Sequence, residues 1–156
     1  MEIKYMQTLK VLGSTKNWND TGVEESEIAT LESNYNINFP VSYREFLILT
    51  GNSCSVIVQG HGFEYAEQDQ IDFRSSLKEY KLSHLISKPI WVIATLDGGA
   101  FWYFHLDEGD NPVVYRLDCE NYGEIDDKYT FGKVADSFQD WIEQAIKYYE
   151  EDPENE

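Results

Sequence analysis

Between residues 90 and 117 the sequence IWVIATLDGGAFWYFHLDEGDNPVVYRL carries three short runs rich in β-branched and aromatic residues, at 90–95, 101–106 and 113–117, separated by LDGGA and DEGDNP. Runs of this length and composition form strands, and separators so short and so rich in Gly, Asp and Asn permit only reversals. The three runs therefore predict an antiparallel meander. Asp97, Gly98 and Gly99 tolerate the positive φ that a tight hairpin demands, and Pro112 sits where an incoming strand can spare a ladder donor.

Helical periods flank this region on both sides. Ile3, Met6, Leu9 and Leu12 fall at helical spacing, with a stop expected at Gly13-Ser14-Thr15. Residues 24–35 place Ile28, Leu31 and Tyr35 on one stripe, with Glu24, Glu25 and Glu27 in the first turns, where the helix dipole favours anions. Pro40 has no N–H to lose in a first turn, so a second helix starts there and presents Tyr43, Phe46 and Leu47 along one face. Gly51 is expected to end it as the left-handed residue. Ile37 and Phe39 can pack beneath the resulting corner. A short strand at 56–58 and a helix near 73–80 follow. Residues 134–149 predict a last amphipathic helix carrying Phe138, Trp141, Ile142, Ala145, Ile146 and Tyr149 on one face, with Asp136 and Gln139 as a capping box. Helices first, a central antiparallel sheet, then a packing helix make an α+β fold. At 156 residues one domain buries roughly 68–70% of its unfolded surface and needs no staple. It is expected to span residues 1–150, with 151–156 as a solvated acidic tail.

Charge narrows the partners. The chain holds 29 acidic residues against 12 basic ones, and the excess is lopsided: net −4 over residues 1–88 and −13 over residues 89–156. Such a field repels nucleic acid phosphates and anionic membranes and attracts a basic protein. The start of the chain lacks a basic stretch followed by an apolar one, and the apolar runs IWVIATL and AFWYF are too short to span a bilayer, so a cytoplasmic location is expected. Cys54 and Cys119 lie far apart, which suits two reduced thiols.

The ordered set of motifs gives a resemblance. Trp18 precedes GVEESEIATLES with its Leu31-Glu32 step; FPVSYREFLILTGN, IATLDGGAFWYFHLD, NPVVYRLD and VADSFQDWIEQAI follow. In this order they resemble the SUKH superfamily, in its SMI/KNR-type branch, which includes fungal cell-wall synthesis regulators and many bacterial toxin-immunity proteins. The usual Leu-Pro is Phe39-Pro40 here, the usual Asn-Gly is Thr50-Gly51-Asn52, and residues 60–89 show no match. The resemblance implies an α+β domain that binds a protein partner, with no catalytic centre, cofactor or metal. In bacterial members that partner is commonly a toxin domain, often a nuclease, neutralised inside the producing cell. The alternative it implies is a regulatory scaffold or peptide-binding module of the cell-wall-regulator type. It sets neither the toxin nor the oligomeric state.

The densest acidic stretch, HLDEGDNPVVYRLDCENYGEIDD, supplies the candidate docking surface. Asp107, Glu108, Asp110, Asp118, Glu120, Glu124, Asp126 and Asp127, as hairpin tips and a following loop, are expected to crowd onto one rim. Tyr122 and Tyr129 would serve as aromatic anchors, because interfaces draw their energy mainly from aromatics and use rim charge for steering. Other chemistries fit poorly. Asp107 to Asn111 lacks the alternating ligands and distant Glu of an EF-hand loop. His61, His84 and His105 have no zinc spacing, and nothing favours a Cys54–His61 nucleophile pair. LDGGA runs into a strand rather than the helix a phosphate loop requires. Glu32 is expected to pair with Arg44 or cap the corner, and Trp18 to lid the helix pair.

Overall fold

A computed structural model describes residues 1–57, 62–124 and 130–152. Its helices are α1 (Gln7–Lys16), α2 (Glu25–Tyr35), α3 (Val41–Thr50), α4 (Ala66–Glu79) and α5 (Phe138–Glu151). The strands β1 (Ile90–Leu96), β2 (Ala100–His105), β3 (Val114–Asp118) and β4 (Phe131–Ala135) form an antiparallel sheet in the order β1-β2-β3-β4. The expected meander is present with a fourth strand added. Residues 131–135, FGKVA, carry too little apolar alternation to announce it. Val134 and Ala135 therefore belong to β4 and not to the last helix. Ser137 caps that helix by accepting the Asp140 N–H, while Asp136 pairs with Lys133 instead of forming a capping box.

Helix ends also differ from expectation, for one local reason. Asn17, Asn36 and Lys81 adopt positive φ after α1, α2 and α4. In each case the next residue donates its N–H to a carbonyl five residues back: Trp18 to Gly13, Ile37 to Glu32 and Leu82 to Leu77. These are Schellman closures. Helix α1 accordingly runs through Gly13-Ser14-Thr15 and begins after Ile3. Gly51 is right-handed, not left-handed, and it is glycine because space is short: a Cβ there would lie 2.7 Å from the Leu47 carbonyl oxygen and from Val23 Cγ2. Val56 and Ile57 are buried in a turn region rather than a strand, and Val58 lies outside the described residues. Helix α4 extends well before the expected start at residue 73.

The sheet is covered on both faces, so alternation along its strands sorts residues between two cores. Trp91, Ile93, Phe104, Val114 and Ala135 pack with α1, α2, α3 and α5. Ile90, Val92, Phe101, Tyr103, Leu117 and Cys119 pack with Phe73 and Leu77 of α4. With both faces covered, five successive β1 residues are buried, and the pairing shifts register between Val92 and Ala94. On the larger face, Tyr43 of α3 meets Phe39, Phe104 and Phe138 edge-on at 5.1, 5.2 and 5.6 Å and accepts the indole N–H of Trp91. Burial pushes its phenol pKa upward.

Two buried carboxylates tie the helices together. Glu32 of α2 accepts Arg44 Nη2 of α3 at 2.6 Å and the Phe39 N–H at 2.7 Å, so one side chain both pairs with the second helix and caps the corner. Glu45 of α3 accepts the backbone N–H groups of Lys4, Tyr5 and Met6 at 2.8, 2.7 and 3.1 Å, fixing the segment that leads into α1. Trp18, just after α1, rests edge-on against Tyr149 of α5 at 5.1 Å and packs on the larger core, to which α2 and α3 contribute Ile28, Leu31, Tyr43 and Leu47.

Candidate protein-binding surface

Strand direction decides where the acidic loops go. In an antiparallel meander successive connections leave from opposite ends of the sheet. The β2–β3 loop carries Asp107, Glu108 and Asp110, while Asp118 ends β3 beside the β1–β2 hairpin, where it pairs with Ala100, and Glu120, Tyr122 and Glu124 follow it. The five residues of β3 separate the two groups by about 14 Å. The expected single rim is therefore two acidic ends. Asp126, Asp127 and Tyr129 lie outside the described residues.

The first end is pinned down. The Asp110 carbonyl accepts the Ser42 N–H from the first turn of α3, and Asn111 Oδ1 accepts the Gln139 N–H from the first turn of α5. Two helix starts, whose unsatisfied donors need partners, thus hold the loop that carries the acids. Glu108 accepts the Tyr115 hydroxyl at 3.0 Å, and burial followed by that hydrogen bond raises the Tyr115 pKa. Asp107 lies 3.9 Å from Lys88. His105, packed against the Tyr115 ring at 4.8 Å, brings its imidazole near both carboxylates, with possible ligand atoms within 4.8 Å of one another. Both acids already face a donor or a cation. Glu108 is braced inward, while Asp107 and Asp110 stay exposed.

The second end adds exposed aromatics to its acids. Asp118 is buried and spent on structure: its carboxylate accepts the backbone and side-chain N–H groups of Asn121 at 3.2 and 2.8 Å and lies 3.9 Å from Arg116. Arg116 in turn stands over the Trp102 ring. Asp97 and Gly98 both take positive φ in the adjoining hairpin. A Cβ on Gly99 would meet Glu120 Cδ at 2.8 Å, so glycine there lets the Glu120 side chain lie across the turn. Glu120 and Glu124 face outward. Tyr122 is 39% exposed and meets Phe131, 37% exposed, edge-on at 6.1 Å. Tyr80, closing α4, is 41% exposed and close enough for the charge of Glu120 to act on it. Sequence reasoning missed Tyr80 and Phe131, one in a stretch without motif and the other in an unrecognised strand. Neither carried a local signal.

Catalytic readings gain nothing from the geometry. Cys54 and Cys119 are free and buried. Burial pushes the Cys119 thiol up to about 11 and raises that of Cys54, the direction opposite to an activated thiolate. His61 lies outside the described residues. Among the described residues no helix is long and apolar enough to cross a membrane.

Among known families, the model of the SMI1 / KNR4 family (SUKH-1) fits residues 22–144. That span takes in α2 through the first half of α5, including the stretch at 60–89 where no motif was recognised, and leaves Trp18 outside. No individual curated protein matches the chain.

Proposed function

Because the chain belongs to the SMI1 / KNR4 family (SUKH-1), we propose that it is a non-catalytic protein-binding domain that neutralises a cognate toxin domain by occupying its functional surface. The observation that supports this reading is the second acidic end of the sheet. Tyr80, Tyr122 and Phe131 are large exposed aromatics, and Glu120 and Glu124 stand beside Tyr122 in the chain. That combination suits an interface in which rings supply the energy and carboxylates steer a basic partner. A nuclease cleft lined for phosphate is one such partner, and the net charge of −17 would speed its encounter roughly 10 to 10³-fold at low salt. The other acidic end, tied to Lys88, Tyr115 and two helix starts, plays the smaller part.

The test begins with affinity capture from lysate at low and high salt, followed by expression of each captured domain in cells. Wild-type chain should suppress the toxicity of one captured domain. A chain carrying Glu120→Lys, Glu124→Lys and Tyr122→Ala should fail to suppress it while retaining its folded spectrum and Tm. Full protection by that variant would remove this surface from the mechanism. Capture of several weak partners with no toxic domain among them would favour the regulatory-scaffold reading.

A further inference from the structure

A groove of about 600 Å³ lies along the outer edge of β1, on the opposite flank of the sheet from β4. Its walls come from Tyr35 at the end of α2 and from Ile71, Arg74 and Lys78 on α4; Trp91 and Leu106 also line it. The lining is predominantly apolar, and Ile71 is 55% exposed to solvent within it. Spacing explains why α4 contributes so much: Ile71, Arg74 and Lys78 recur at intervals of three and four and so share one helix face.

The edge of β1 is only partly closed. The Leu106 N–H bonds the Pro89 carbonyl, so by alternation the backbone groups of Ile90 and Val92 point away from β2. Gln70 reaches over from α4 and meets Val92 with both ends of its amide, accepting the Val92 N–H at 2.8 Å and donating to the Val92 carbonyl at 3.0 Å. A side-chain amide thus occupies the place that a neighbouring strand would fill. One step back, Ile90 lines the groove, and no described residue meets its outward N–H or carbonyl. Unpaired edge groups beside an apolar trough are a template for an extended chain.

Charge sets the kind of chain. The protein is strongly acidic, yet the α4 wall offers Arg74 and Lys78, neither of which forms an ion pair among the described residues. Among the described residues no carboxylate lines the groove. The groove is therefore apolar along its length and cationic on its α4 wall.

We propose that this groove is a second docking site, which takes an extended peptide segment of a protein partner bearing an apolar side chain followed by carboxylates. The segment pairs with the Ile90 backbone, its apolar side chain enters between Ile71 and Trp91, and its carboxylates meet Arg74 and Lys78. The site is independent of the toxin-binding reading, since it lies on a different edge and prefers the opposite charge.

The experiment is selection of random heptapeptides displayed on phage against the intact chain, followed by titration of the enriched peptide as a synthetic probe. Enriched sequences should share one aliphatic or aromatic residue beside Asp or Glu. Ile71→Glu, or Arg74→Glu with Lys78→Glu, should weaken the probe by about tenfold or more, while Glu120→Lys leaves it unchanged. Saturation with the probe should slow hydrogen exchange at the Ile90 amide. These substitutions are at exposed positions, so Tm reports whether folding survives. Failure to enrich any peptide, enrichment of basic sequences, or binding indifferent to the groove substitutions would overturn the proposal. So would sedimentation showing a dimer that Ile71→Glu dissolves, because the groove would then belong to a second copy.

Discussion

Replacing Glu45 with alanine tests the most demanding claim about how this chain is held together. Glu45 is 0% exposed and its Oε1 atom receives three backbone N–H groups from Lys4, Tyr5 and Met6. Removal strands those donors unequally. Lys4 and Tyr5 are partly exposed and can turn to water, so each loss is worth about 1 kcal/mol, whereas the Met6 donor is buried and its loss costs roughly 2 kcal/mol. The expected cost is about 4 kcal/mol, a large part of the 5–15 kcal/mol that holds a typical domain folded. Glu45→Gln should cost less, about 2 kcal/mol, yet it is not harmless, because Glu45 Oε2 has no partner and a glutamine would set a buried donor there. Urea unfolding followed by fluorescence gives both numbers from the midpoint at constant slope. Hydrogen exchange should show the amides of Lys4, Tyr5 and Met6 losing protection before the sheet does. A cost below about 1 kcal/mol for Glu45→Ala, with those three amides still protected, would refute the reasoning.

Two further outcomes follow from the same network and from α4. Glu32→Gln should lower stability by about 2 kcal/mol, and Arg44→Met should cost roughly 3–5 kcal/mol, since the latter leaves a buried carboxylate with only the Phe39 N–H; thermal melts of both variants check the order. Asp69 is held up at about 6, first by burial and then by the charge of Asp72, against an ordinary value of 3.8. Between those two values the folded chain keeps a proton that the unfolded chain has lost, so this group makes stability fall as pH rises through that window. Asp69→Asn should therefore raise Tm relative to wild type above pH 6 and match it near pH 4, in calorimetry across that range.

Sequence alone determined a good deal here. Alternation and turn chemistry over residues 90–117 specify three antiparallel strands, and the 24–35 stripe with the Pro40 start specifies the α2–α3 corner, because these signals arise from neighbours along the chain. The role expected of Glu32 at that corner came instead from the family resemblance of the Leu31-Glu32 step. What tertiary structure decided involves partners distant in sequence. Glu45 reads as an ordinary helical charge until residues 4–6 arrive some forty positions away. Phe131 to Ala135 becomes a strand only because β3 offers an edge to pair with. The acidic stretch is continuous in sequence and divided in space, since reversing direction at each strand sends neighbouring loops to opposite ends of the sheet. Tyr80 reaches the second acidic end for a matching reason, as α4 packs along the far face and delivers the residue after its last turn there. Local rules name the elements; which groups meet is set by how the sheet folds the chain back on itself.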